Sequence, residues 1–161
     1  MALRVHVHVA LWLDGHLVVH ERMLRGRRSL TLPGGRVREH ESVDDTLRRK
    51  VLEETGIEVE RGDLLHAAEV TGTSRRELVL VFAGTLLHAV APAKLTLLAP
   101  GDGAVQEVLP PIVNVLSGDH RRGNAPAPAW LGNLYDARRL PYDTTTGYDR
   151  VTVMRLAGEV D

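Results

Sequence analysis

Between Gly35 and Ile57 the sequence GRVREHESVDDTLRRKVLEETGI leaves few conformational alternatives. Ser42 is a strong helix N-cap, and Asp45 stands three residues on, the spacing of a capping box. Asp44 and Asp45 suit the positive end of a helix dipole. Gly56 supplies a left-handed stop at the other end. Val43, Leu47 and Val51 recur every fourth residue and form one apolar stripe. A helix bounded by Ser42 and Gly56 follows, led in by the Pro33-Gly34-Gly35 turn, where glycine permits positive φ and close approach of another group. Lys50, Glu53 and Glu54 fall at i, i+3 and i+4, so they share one helix face.

Around this helix the chain reads as strands. Residues 3–13 alternate, with Val5, Val7, Val9 and Leu11 on one face and His6, His8, Ala10 and Trp12 on the other, the pattern of a half-buried strand. Asp14-Gly15 predicts a tight hairpin into a second strand, His16–Met23. Residues 24–29 read as a basic loop, and Leu30–Leu32 as a short strand. Ile57–Val59 begins another strand, followed by Leu64–Thr71 and Glu77–Leu87 around a polar turn at 72–76. The run Leu78–Phe82 suggests burial on both faces. Weaker strands are expected at 95–98 and 104–109. Short helices are expected at Ile112–Leu116 and Trp130–Leu140, with a last strand at Val151–Leu156 and a proline-rich loop at 118–129. The tally predicts one domain over 1–161, an α/β/α sandwich with a mixed sheet.

Composition narrows the function. A net charge of −1 gives no overall field for a nucleic-acid polymer, so any anion must be held locally. The absence of cysteine excludes disulfides, zinc–thiolate sites and a cysteine nucleophile. No apolar run approaches the ~20 residues of a membrane span, and MALRVHVHVALWLDG does not resemble a leader, so no membrane association and cytoplasmic residence are expected.

The segment 35–57 resembles the Nudix (MutT-like) hydrolase signature, G-x5-E-x7-R-E-U-x-E-E-x-G-U with U a bulky aliphatic. Gly35, Glu41, Arg49, Val51, Glu53, Glu54, Gly56 and Ile57 match at the required spacing, and Leu32-Pro33-Gly34-Gly35 is similar to the family's lead-in. The resemblance implies a Nudix fold with a loop–helix–loop that binds Mg2+ or Mn2+. It implies hydrolysis of a nucleoside diphosphate linked to another group. Glu53, Glu54 and the carbonyl of Gly34 are the expected metal ligands, with Arg49 orienting carboxylates through its planar fork toward Glu53 or Glu41.

One position departs from the signature: Lys50 stands where the family has glutamate. An ammonium a few ångströms from a cation opposes it by roughly 4 kcal/mol per unit of metal charge at an effective dielectric near 20. Three outcomes are open. One metal binds through Glu53, Glu54 and Gly34; or Lys50 takes the cation's place and meets phosphate; or hydrolysis is lost and the domain is a nucleotide-binding module. Glu107, on a segment similar to a later catalytic loop of the family, is a candidate replacement base, with Asp102 and Glu77 as weaker ones. His6 and His8 are candidate pocket residues, although two histidines rarely make a metal site alone. Arg25, Arg27 and Arg28, beside Gly34 and Gly35, are candidate phosphate contacts, as are Arg121 and Arg122. Trp130, Tyr135, Tyr142 and Tyr148 are candidates for base stacking, although a core role is preferred for Trp130. The expected partner is a small nucleotide-like diphosphate, and a homodimer is compatible with the sequence.

Overall fold

The computed structural model describes residues 2–24, 26–71, 76–89, 95–99, 102, 104, 108–109 and 129–133. They form ten strands and one helix: β1 Arg4–Ala10, β2 Trp12–Leu13, β3 His16–Leu24, β4 Arg27–Thr31, β5 Gly34–Arg36, α1 Val43–Thr55, β6 Val59–Thr71, β7 Arg76–Leu86, β8 Thr96–Leu98, β9 Val108–Leu109 and β10 Ala129–Asn133. A mixed sheet runs β10-β6-β7-β1-β5. A second runs β2-β3-β4-β9, with β8 paired to β3.

The centre of the first sheet is the parallel pair β1 and β7, in register from Arg4 against Glu77 to Ala10 against Ala83. Both faces are covered. On one, Val7, Val9 and Leu11 pack with Leu47 and Val51 of α1 and with Ile57, Val59 and Phe82. On the other, Ala10, Val79 and Val81 pack with Leu17, Val19 and Leu32 of the second sheet and its approach. The helix therefore lies on one face of the first sheet and the second sheet on the other. The alternation in 3–13 suggested a strand buried on one face only. The structure corrects this, because the polar-looking face of β1 is roofed by the second sheet. Each fully buried aliphatic side chain here contributes roughly 1.5–3 kcal/mol to holding the layers together.

Three element boundaries also differ from expectation. Of the span 24–29 expected as a loop, Leu24 ends β3 and pairs with Arg27, Arg27–Ser29 belong to β4, and Gly26 takes φ 74°. The two strands expected at 57–59 and 64–71 are one strand, β6, in which Gly62-Asp63 is absorbed by register shifts against β7 rather than breaking the strand. The helix expected from Trp130 is replaced at its start by β10, a strand parallel to β6 with Trp130 opposite Ala67. The predicted helix Ile112–Leu116 and strand Val151–Leu156 lie outside the described residues.

The hairpin at Asp14-Gly15 forms as expected. Both residues take positive φ, at 50° and 78°, which matches the twist of the flanking strands.

Candidate active site

Helix α1 is placed by its caps. The Ser42 hydroxyl accepts from the Asp45 amide at 3.1 Å, the Asp45 carboxylate accepts from the Ser42 amide at 3.4 Å, and Gly56 closes the other end at φ 72°. Leu47 and Val51 bury against β1. This turns Lys50 and Glu54 toward Gly35 and Gly34 of β5, and Arg49 toward Glu41. Arg61 on β6 hydrogen-bonds Asp44 and lies over the Phe82 ring, tying the first turn of the helix to the sheet.

Glu41 and Arg49 form the rigid frame of the site. The guanidinium donates through Nε to Oε1 at 2.6 Å and through Nη2 to Oε2 at 2.9 Å, a two-pronged pair. Glu41 Oε2 also accepts from the Thr46 hydroxyl at 2.8 Å and the Arg38 amide at 3.2 Å. These donors, with Arg49 first, pull the Glu41 pKa down to about 2. Arg49 in turn reaches Glu53 at 3.5 Å. Both partners suggested by spacing are thus engaged, Glu41 firmly and Glu53 loosely. Lysine at 49 would keep the charge but lose the fork. Arg49→Lys is expected to destabilise the fold, read as a lower urea midpoint; an unchanged midpoint would remove the pair from this framing role.

Glu54 is the most enclosed carboxylate of the set, with its side chain 8% exposed. Its Oε1 faces the Gly34 amide at 3.4 Å and the Lys50 ammonium at 3.3 Å, and its Oε2 faces His20 Nε2 at 3.6 Å. Lys50 also lies 3.8 Å from Glu53 Oε2. The lysine stem crosses Gly35 so closely that a Cβ there would stand 2.7 Å from Lys50 Cε. Gly34 has φ 145°, and a Cβ on it would strike the Val7 carbonyl oxygen and approach His8 Cα at 2.7 Å. The two glycines thus serve different neighbours: Gly34 lets β5 close on β1, and Gly35 lets Lys50 lie flat.

The family resemblance calls for Mg2+ or Mn2+ between Glu53, Glu54 and Gly34. As the residues stand, they do not fit a resident metal. An ammonium already neighbours both carboxylates, and Gly34 meets Glu54 through its N–H. Among the described residues, no group of three or more His, Asp or Glu side chains could hold a metal ion.

His20 is the neighbour that sequence reasoning missed. It ends the apolar run Leu17-Val18-Val19 and reaches Glu54 only because β3 pairs with β4, setting His20 opposite Thr31. That register is not a local property, so no sequence signal pointed to it. His6 and His8 do not act as a pair. His6 Nε2 is 3.9 Å from Glu77 on β7, while His8 Nδ1 meets the Leu32 carbonyl at 3.1 Å beside Gly34. Arg27 and Arg28 lie on β4 by their backbone. Their side chains, together with Arg25, Glu107, Arg121, Arg122, Tyr135, Tyr142, Tyr148 and the ring of Trp130, fall outside the described residues. Asp102 caps its own turn, accepting from the Ala104 amide at 2.9 Å, and Glu77 faces His6; neither is brought to Glu54 by any contact above.

Burial lowers the His8 pKa to about 4, against the ordinary 6.5. The unfolded chain therefore binds more protons than the folded one between these values. The stability at stake is present above pH 6.5 and is lost as the pH falls toward 4, by up to about 3 kcal/mol. The melting temperature is expected to drop across this window, and to drop less in His8→Gln. An equal drop in both proteins would take His8 out of the account.

The comparisons with known proteins agree with this geometry. The NUDIX domain family model matches residues 2–130. No curated protein matches the chain in sequence. Among solved structures, a NUDIX hydrolase from Nitrosomonas europaea is similar with a TM-score of 0.63 at 21% identity, covering 76% of this chain and 90% of that one. An ADP-ribose pyrophosphatase from Streptococcus suis is similar with a TM-score of 0.61 at 16% identity, covering 79% and 98%. A UDP-X diphosphatase is similar with a TM-score of 0.59 at 17% identity, covering 80% and 67%. A signature helix docked on a mixed sheet and a family match over most of the chain lead to one conclusion: the chain belongs to the NUDIX domain family.

Proposed function

We propose that this protein hydrolyses the diphosphate of a small nucleotide-like molecule, a nucleoside diphosphate linked to a sugar, a phosphate or another nucleoside. The observation that carries the proposal is the enclosed Glu54, set between the Gly34 amide, Lys50 and His20, on a helix fixed by Glu41 and Arg49. Similarity to an ADP-ribose pyrophosphatase and a UDP-X diphosphatase supports the substrate class.

In this proposal water attacks one phosphorus of the diphosphate. The new bond joins water oxygen to phosphorus, and the bond from phosphorus to the bridging oxygen breaks. Two phosphate monoesters leave when both ends are substituted. Glu54 takes the proton from water, with His20 beside its far oxygen. Lys50, 25% exposed, meets the growing negative charge on the phosphate oxygens. Arg49 orients Glu53. Mg2+ or Mn2+ enters as the counter-ion of the diphosphate, as part of the substrate. Arg25, Arg27 and Arg28 are proposed to grip the distal end of the ligand. A cytoplasmic setting, where such nucleotides abound, is part of the proposal.

A second function has one observation in its favour. The ammonium of Lys50 against both carboxylates suits a domain that binds a nucleotide without cleaving it. A panel of nucleoside triphosphates, nucleotide sugars, ADP-ribose and dinucleoside polyphosphates, with Mg2+ or Mn2+, separates the two. Turnover of any member supports the hydrolase; nucleotide binding without turnover of any member supports the binder.

A further inference from the structure

We infer that Lys50 is a tethered counter-ion that keeps the Glu53–Glu54 pair free of any divalent metal until a diphosphate brings one in. The inference deepens the diphosphate-hydrolase function proposed above and names the residue that regulates its cation requirement.

Glu53 and Glu54 each stand about one helix turn from Lys50, at i+3 and i+4, and two carboxylates this near each other in the chain repel if left alone. A bare pair of this kind attracts a divalent cation from solution. Here Lys50 Nζ stands 3.3 Å from Glu54 Oε1 and 3.8 Å from Glu53 Oε2, in reach of both. The contact is built into the backbone. Gly35 has no Cβ, and any side chain there would meet the lysine stem at Cε and Cδ, 2.7 and 3.3 Å away. Glu54 also accepts from the Gly34 amide, and His20 Nε2 stands 3.6 Å from its other oxygen. A divalent ion entering this place must displace the ammonium and then remain within a few ångströms of it, doubly repelled. Among the described residues, no further acidic or histidine side chain completes a metal cage that would offset this cost. The charge is also tethered, so dilution or dialysis does not remove it, as it would a bound ion.

Mn2+ alone, titrated into the full chain and read by electron paramagnetic resonance and calorimetry, tests the assignment without any turnover. The wild type is expected to show no saturable Mn2+ site. Lys50→Glu is expected to create one, at least ~100-fold tighter than any residual binding to the wild type, and to lose it again when Glu54→Gln is added. Lys50→Met, which keeps the stem over Gly35 and removes only the charge, is expected to gain affinity by at least ~10-fold and guards against a misfolded glutamate variant. A saturable Mn2+ site in the wild type that disappears in Glu54→Gln would overturn the inference. So would Mn2+ affinities in both Lys50 variants no higher than in the wild type. Failure of the hydrolase proposal has a different signature, an absence of diphosphate turnover whatever the metal affinity.

Discussion

Glu54→Gln is expected to lower kcat/KM for any diphosphate substrate by about 10^2- to 10^4-fold, the range for loss of a group that handles a proton in the transition state. The substitution is nearly isosteric. The amide oxygen of glutamine can still accept from the Gly34 amide, which lies 3.4 Å from Glu54 Oε1. Lys50 keeps Glu53 as a partner. The fold should therefore survive, and the melting temperature should change little. What disappears is the negative charge between His20 and Lys50, and with it the proton acceptor. Steady-state kinetics beside a thermal melt separates these effects. Wild-type kcat/KM in a folded Glu54→Gln protein would move the chemistry away from this carboxylate.

Gly34→Ala is expected to cost roughly 3 kcal/mol or more in stability. For a chain of this length that is a fall of about 6–12 °C in melting temperature. Gly34 has φ 145°, a conformation that side-chain-bearing residues rarely adopt, and its missing Cβ faces the backbone of β1 at Val7 and His8. Backbone cannot move aside without unpairing β5 from β1, where Val7 and His8 stand opposite Gly35 and Gly34. Gly35→Ala makes the control. Its Cβ would come closest to the flexible Lys50 stem rather than to backbone, so the stability cost should be small. Equal melting temperatures for Gly34→Ala and the wild type would mean that the β1–β5 contact is looser than described.

Much of the site was legible because it is local. The capping box of Ser42 and Asp45, the stop at Gly56 and the stripe of Leu47 and Val51 are decided within a few residues of chain. The Glu41–Arg49 pair was legible through spacing, since a helix turns Arg49 back over the loop that carries Glu41. The fold class was legible from strand alternation and the signature. What escaped depended on register and on what covers each face. The second sheet hides the face of β1 that looked exposed, with Ala10 1% exposed. Residues 60–63 fell between two expected strands but are taken up in β6 through register shifts against β7. Trp130 has the local pattern of a helix start, yet β10 pairs with a strand more than sixty residues earlier. His20 joins Glu54 only through the β3–β4 hairpin. Lys50 could be seen to break the signature; that its ammonium would lie across both carboxylates required the flat passage over Gly35.

Phosphorus NMR of the purified protein with ADP-ribose, a UDP-sugar, nucleoside triphosphates and dinucleoside polyphosphates, in buffer containing Mg2+ and oxygen-18 water, tests the central claim most directly. For at least one of these substrates the diphosphate doublets should give way to phosphate products, one of them carrying the heavy oxygen, in the wild type but not in Glu54→Gln. Diphosphate resonances that persist unchanged in every mixture, or that vanish equally fast in both proteins, would contradict it.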